Sequence, residues 1–281
     1  MKPTRFVIFT DMDGTLLDHD SYSHADADPL LQQLQRVDIP VIPNTSKTFA
    51  EVVELRQELH LTTPFIVENG AAIHFPKDFL PHKPTGSLWQ DNHWVKQLTT
   101  RKQYWLTILE QMKASYAGQF THFSAMTIDD ICDSTGLSPA QAELAAKRSF
   151  GEPVLWLGSE QQKQRFVDQL HSKGAKTLQG GRFLHVGGDC DKGTALRWTM
   201  NEIASQRPEF TWQSIALGDG HNDVAMLQAA DVAVRIRSRH HAPPDVPDHP
   251  LVITSSEIGP TGWAETLNEF LKPVLEDTQY G

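Results

Sequence analysis

The chain has 281 residues, room for about two domains at roughly 150 residues apiece. Its 39% hydrophobic and 21% charged residues are ordinary for a globular protein, which excludes the disordered and fibrous classes. A formal charge of −10 argues against a nucleic-acid partner, because a phosphate-backbone binder concentrates Lys and Arg.

Apolar runs such as Phe6 to Phe9 fall far short of the ~20 residues that cross a bilayer, so no membrane partner is expected. The start, Met-Lys-Pro-Thr-Arg, lacks the apolar core of a secretory signal, and a cytoplasmic location is expected. Two cysteines, Cys132 and Cys190, are too few for a disulfide framework or a thiolate metal site and read as inert thiols.

In chain order, Phe6-Val-Ile-Phe9 reads as a buried strand and Ile39-Pro-Val-Ile42 as a second. Ser46 reads as the N-cap of a helix carrying Phe49, Val52, Val53, Arg56 and Leu59 on one face. A third strand is Phe65-Ile-Val67. The middle reads differently. Tyr104, Trp105, Ile108, Leu109 and Met112 mark a helix, Ser138-Pro139 opens another, and Ser159 caps a third. Short strands, Val154 to Leu157 and Phe183 to Val186, lie between and after them. The alternation then resumes with a helix from about Asp191 to Ser205, a strand Ser214 to Leu217 and a helix Asn222 to Ala230. Strands Val232 to Val234 and Leu251 to Ile253 follow, and a last helix begins near Thr261.

This pattern predicts an α/β protein, a doubly wound, Rossmann-like parallel sheet with an inserted α+β domain. The Pro- and Gly-rich edges at Pro81, Pro84 and Gly86 and at Gly187 and Gly188 put the core at 1–81 and 189–281 and the insert at 82–188.

Asp11-Met-Asp13-Gly-Thr15 follows the first strand, where loop residues at a strand's carboxyl end meet ligand. Two carboxylates so placed can divide labour, one attacking or binding metal and the other moving a proton. The alternative is an Asp-Gly turn with solvated acids. Gly218-Asp219-Gly220-His221-Asn222-Asp223 follows another buried strand, so its acids stand at the same sheet edge. Together these carboxylates form a hard, oxygen-rich set suited to Mg²⁺. Without a cation, one charge pair at about 4 Å costs roughly 4 kcal/mol at an effective dielectric near 20. Asn222 and Asp223 could instead merely cap a helix. Asn44-Thr45-Ser46-Lys47 offers a hydroxyl and backbone amides as an anion cradle, and Asp191-Lys192-Gly193 could aim an ammonium at the same place.

Asp-x-Asp-Gly-Thr, a strand-end Thr, a Lys and Gly-Asp-x-x-Asn-Asp, in that order, resemble the four motifs of the haloacid dehalogenase superfamily. An insert between the second and third motifs resembles the C2B cap of its Cof-like sugar phosphatases. Asn44-Thr-Ser-Lys-Thr48, Val67-Glu-Asn-Gly70, Lys147-Arg-Ser-Phe150 and Gly180-Gly-Arg182 with His185 are similar to the mannosyl-3-phosphoglycerate phosphatase family. The resemblance implies Asp11 as nucleophile and Asp13 as general acid and base, with Thr45 and Lys192 holding the phosphoryl group. It implies Mg²⁺ on Asp11, the Asp13 main-chain carbonyl and Asp219, supported by Asn222 and Asp223. The implied substrate is a small phosphorylated sugar acid, mannosyl-3-phosphoglycerate.

For its glycerate carboxylate, Lys47, Arg148 and Arg182 are the candidate cations, with hydrogen bonds from Ser46 and His185. Arg148 could instead serve a helix dipole, and His185 could be a satisfied core histidine. Two other functions stay open at this point: a broad-specificity sugar-phosphate phosphatase, and a receiver-like phosphoacceptor domain, which also surrounds an Asp with a hydroxyl and a Lys.

Overall fold

The computed structural model describes residues 2–180 and 182–277. The elements in chain order are β1 (Thr4–Thr10), α1 (Asp28–Arg36), β2 (Val41–Pro43), α2 (Phe49–Glu58), β3 (Phe65–Val67) and β4 (Ala72–Pro76). There follow β5 (Leu88–Gln90), β6 (His93–Gln97), α3 (Lys102–Met112), β7 (Phe120–His122), α4 (Ile128–Thr135), α5 (Pro139–Ala146) and β8 (Glu152–Trp156). Next come α6 (Glu160–Ser172), β9 (Lys176–Gln179), β10 (Phe183–Gly187), α7 (Lys192–Gln206) and β11 (Thr211–Gly218). A 3₁₀ turn, His221–Asp223, one of two with Phe123–Ala125 among the described residues, precedes α8 (Val224–Ala229), β12 (Val232–Arg237), β13 (Val252–Ile258) and α9 (Gly259–Asp277). Among the described residues, no helix is long and apolar enough to cross a membrane.

The chain forms two compact units, one of Met1–Ser46, Leu55–Lys96 and Asp191–Gly281, the other of Lys47–Glu54 and Gln97–Cys190. The first is built on a parallel sheet in the order β13-β12-β11-β1-β2. Side chains alternate across a strand, and in β1 both the Val7 and Phe9 side and the Ile8 side are sealed from solvent. A parallel sheet buried on both faces needs helices on both, the doubly wound arrangement. On the Ile8 side, Trp263, Leu267, Leu271 and Leu275 form a stripe at every fourth position of α9 and pack with Leu30, Leu31 and Leu34 of α1.

This unit also carries a small sheet in the order β3-β4-β6-β5. It draws on residues 88–97, which lie within the segment 82–188 expected as the insert. Pro81, Pro84 and Gly86 lead into a hairpin whose two turn residues, Asp91 and Asn92, both have positive φ, the backbone of a tight two-residue connection. That hairpin pairs through β6 with β4, so it belongs with the first unit.

The second unit holds the antiparallel sheet β7-β8-β10-β9. Val154, Leu184 and Val186 face Trp105, Ile108 and Leu109 of α3 and Phe166 and Leu170 of α6. Their neighbours Leu155 and Phe183 point the other way, into a cluster with Ile131 of α4 and Ala142 and Ala145 of α5. Trp105 is thus a core residue of this unit, as its helical spacing implied. The buried Glu152 is compensated by His122 Nδ1 at 2.8 Å and by donors from Ser124, its amide at 2.6 Å and its hydroxyl at 3.0 Å.

Ser138 and Ser159 each make a reciprocal capping box, with Pro139 in the first turn after Ser138. Ser46 does not cap α2. That role falls to Thr48, whose hydroxyl accepts from the Glu51 amide at 3.2 Å while its own amide donates to the Glu51 carboxylate at 2.7 Å. The helix starts later because Asn44 still bridges to Ile66 and the Thr45 amide still donates to the Ile66 carbonyl, so these residues remain extended.

Candidate active site

In the parallel register Thr10 stands opposite both Leu217 and Pro43, which places Asp11 level with Gly218 and Asn44. The next residues on those neighbouring strands are Asp219 and Thr45, so three loops meet at the carboxyl edge of β11, β1 and β2. Gly14, at φ 76°, turns the chain after Asp13, and a side chain there would reach to 2.5 Å from Asp219 Oδ2. Thr15 donates its hydroxyl proton to Asp219 Oδ1 at 3.2 Å.

Lys192 is fully buried, and its ammonium donates to Asp11 Oδ1 and to Asp223 Oδ1, each at 2.6 Å. Three local devices fix it there. Asp191 caps α7 by accepting from the Thr194 amide at 2.7 Å. The Asn44 side-chain amide donates to the Lys192 carbonyl at 2.9 Å. Glu68, Asn69 and Gly70 form a run of left-handed residues, with φ of 48°, 58° and 92°, that lays the Gly70 backbone against the Asp191 carbonyl so closely that a side chain would collide with it. The Asn69 amide closes the same turn onto the Thr45 carbonyl at 2.9 Å. The Val-Glu-Asn-Gly motif is thus a buttress between the start of α7 and the Thr45 loop.

Gly193 has a related task, since a Cβ there would press into the Ala225 carbonyl of α8. An alanine gains up to about 1 kcal/mol of helix propensity, whereas overpacking a rigid contact costs about 1–3 kcal/mol. Gly193→Ala is therefore expected to lower the melting temperature, as measured by thermal denaturation; an unchanged or higher value would show that α7 and α8 can part freely.

The electrostatics are those of an acidic site short of positive charge. Carboxylate oxygens of Asp11, Asp219 and Asp223 all lie within 4.8 Å of one another. Burial and the Asp223 charge push Asp11 up to about 7. Burial and the Asp11 charge push Asp219 up to about 6, and burial raises Asp223 as well. Burial alone would favour neutral Lys192, but Asp11 and Asp223 outweigh it and hold the ammonium charged. Three buried acids against one buried cation, all offering hard oxygen donors, fit a divalent ion such as Mg²⁺.

Other expected residues fall into place unevenly. Asp13 follows directly in the same loop, though its side chain is not one of the three clustered carboxylates. Asn222 reaches the Asn69 side chain at 3.5 Å, and Asp223 also accepts from the Gly220 amide at 2.9 Å. Both sit in the 3₁₀ turn before α8 rather than in that helix. In the anion cradle expected at 44–47, the Asn44 amide donates to the Thr10 carbonyl at 2.8 Å and the Thr45 amide to the Ile66 carbonyl at 3.1 Å. Ser46 is half-buried beside it.

On the second unit, Lys47 Nζ stands 4.0 Å from Glu51. Burial and the neighbouring Arg148 charge pull His185 down to about 4, so its imidazole is neutral. Arg182 is exposed and donates to the Ser134 carbonyl at 2.8 Å, at the end of α4. Gly181 of that motif lies outside the described residues. One site residue escaped the sequence reading altogether: His241 Nε2 lies 3.3 Å from Asp219 Oδ2.

A family model for haloacid dehalogenase-like hydrolases matches residues 8–134. A glucosyl-3-phosphoglycerate/mannosyl-3-phosphoglycerate phosphatase of Methanococcoides burtonii is 34% identical over 272 residues, 95% of this chain and 97% of that protein. A protein of the same description from Persephonella marina is 33% identical over 270 residues, 95% of this chain and 98% of the other. Among solved structures, the sucrose-phosphatase of a Synechocystis species aligns with a TM-score of 0.59 at 13% identity, covering 95% of this chain and 98% of that one. A haloalkanoate-superfamily phosphatase of Bacteroides thetaiotaomicron aligns with a TM-score of 0.65 at 16% identity, covering 95% of each chain.

Proposed function

The chain belongs to the haloacid dehalogenase-like hydrolase family and is a phosphoric monoester hydrolase, and from that premise we propose that it removes phosphate from mannosyl-3-phosphoglycerate or its glucosyl analogue. The receiver-like alternative therefore falls, because a receiver domain stores a phosphoryl group and does not turn over an ester. The observation that carries the reading is the buried Lys192 ammonium shared by Asp11 and Asp223 beside Asp219. A positive charge fixed among carboxylates can receive a phosphoryl dianion next to a nucleophile, and phosphoryl transfer is catalysed chiefly by positioning and charge stabilisation.

In this reading an Asp11 oxygen attacks phosphorus in line, and the P–O bond to the sugar acid breaks as the aspartyl-phosphate forms. Asp13 gives its proton to the departing oxygen. It then takes a proton from water, which attacks the aspartyl-phosphate, releases inorganic phosphate and restores Asp11. Thr45 and Lys192 hold the phosphoryl oxygens. Asp11, the Asp13 main-chain carbonyl and Asp219 would hold Mg²⁺, with Asn222 and Asp223 steadying them. Bound there, Mg²⁺ supplies the charge that keeps Asp11 ionised and lets an anionic substrate approach it. Lys47, Arg148 and Arg182 on the inserted unit are assigned to the glycerate carboxylate, with Ser46 and the neutral His185 adding hydrogen bonds.

The test is phosphate release from mannosyl-3-phosphoglycerate, glucosyl-3-phosphoglycerate, mannose 6-phosphate and an aryl phosphate, with Mg²⁺ and with EDTA. Turnover should vanish in EDTA, and kcat/KM for the two glycosides should exceed that for mannose 6-phosphate by at least about a hundredfold, because sites built around a polar substrate group reject analogues lacking it. Similar, weak turnover of all four would make the enzyme a generalist, and undiminished turnover in EDTA would remove the metal from the scheme.

A further inference from the structure

Outside the acidic cluster, His19, Asp20 and His240 bring two imidazoles and a carboxylate together, with one ligand atom from each lying within 4.8 Å of the others. We propose that these three residues form a second metal site, one for a borderline transition-metal ion such as Zn²⁺.

The geometry carries this. His240 Nε2 stands 3.1 Å from Asp20 Oδ1, and the His19 and His240 rings are 4.3 Å apart between centroids, tilted by 40°. An ion with ligand bonds of about 2.0–2.2 Å spans such a group after a small closing movement, with a fourth position left to water. Imidazole nitrogen selects Zn²⁺ or its neighbours, whereas Mg²⁺ keeps to oxygen and water. The two metals would therefore sort between two sites by donor type.

The ligands come from opposite ends of the chain, and each end is braced. Asp18 Oδ1 accepts from the Asp20 amide at 3.1 Å and from the Ser21 amide and hydroxyl, each at 2.8 Å. The Asp18 amide donates across the turn to the Ser23 carbonyl at 2.9 Å, which fixes His19 and Asp20 at its tip. On the other side, the last residue of β12, Arg237, donates its amide to Ser255 Oγ at 3.0 Å, and the His240 amide donates to Ser238 Oγ at 3.2 Å. Arg237 and Arg239 line the same small cleft, where hydrogen bonds from Ser21, with the Asp20 amide and the Arg239 charge adding less, hold the Asp18 carboxyl below its ordinary value. Asp20 is then the carboxylate left to meet the ion.

The experiment titrates metal-stripped protein with Zn²⁺ by calorimetry, and with Co²⁺ by visible absorption, in a large excess of Mg²⁺. Wild type should bind one equivalent that the His19→Ala/His240→Ala double variant binds at least about tenfold more weakly. Asp20→Asn should also weaken it, while Asp11→Asn should bind as wild type does. Replacing His24, whose ring Nδ1 pairs with the Asp28 carboxylate, should leave the equivalent in place. The proposal is overturned if the double variant binds Zn²⁺ unchanged, if wild type binds none against Mg²⁺, or if Asp11→Asn or the His24 variant is the one that loses it.

Discussion

Asp11→Asn is expected to lower phosphate release by at least about a thousandfold while the chain still folds, because the substitution removes the attacking oxygen's charge and little else. The side chain is nearly isosteric and retains a carbonyl oxygen able to accept from Lys192, which now stands 2.6 Å from Asp11 Oδ1. It also removes one of three mutually repelling buried acids, the one that burial and Asp223 push up to about 7. These effects on stability oppose each other, so the melting temperature should stay within a few degrees of wild type. Phosphate release and thermal denaturation on the same preparation separate the outcomes. Wild-type-like turnover would mean that water attacks the ester directly, and a collapse in melting temperature would mean that Asp11 is structural.

The sequence exposed the site because its residues lie in short, contiguous runs directly after apolar strands. Asp11-Met-Asp13-Gly-Thr15 and Gly218-Asp219 need only the parallel sheet to meet, and alternation along the chain predicts that sheet. Features that depend on a partner distant in sequence were hidden. Nothing near His241 announces that it will lie against Asp219, and nothing near Arg182 announces the Ser134 carbonyl. Other features carry a local signal. Thr48 with Glu51 is a capping-box pair, a stronger signal than the residue type of Ser46. Likewise Asp91-Asn92 between two short β-type runs marks a hairpin from local sequence alone. In the Val-Glu-Asn-Gly run the residue types alone do not reveal the role, three left-handed residues bracing Lys192 and Thr45, which only the backbone shows.

Lys192→Met tests that brace from the inside. Methionine fills most of the lysine's volume, but it leaves Asp11 and Asp223 buried without their shared ammonium, and breaking a buried pair costs about 3–5 kcal/mol. The carboxyls can escape part of that cost by taking up protons, which gives the defect a pH signature. Their folded pKa values already stand above the ordinary value of 3.8, Asp11 at about 7, and losing the cation moves them further up. A carboxyl with a raised folded pKa binds its proton more tightly in the folded state. Its penalty is absent below about pH 4, where both states are protonated, and grows as pH climbs toward the folded pKa. In EDTA, the gap in melting temperature between wild type and Lys192→Met should thus be wide at pH 8 and much narrower at pH 5.5. Mg²⁺ at pH 8 should close part of it, since a cation among the same oxygens replaces some of the missing charge. A gap of equal size at both pH values would assign the loss to packing, and Lys192 would then be a core residue rather than the charge that holds the acidic site together.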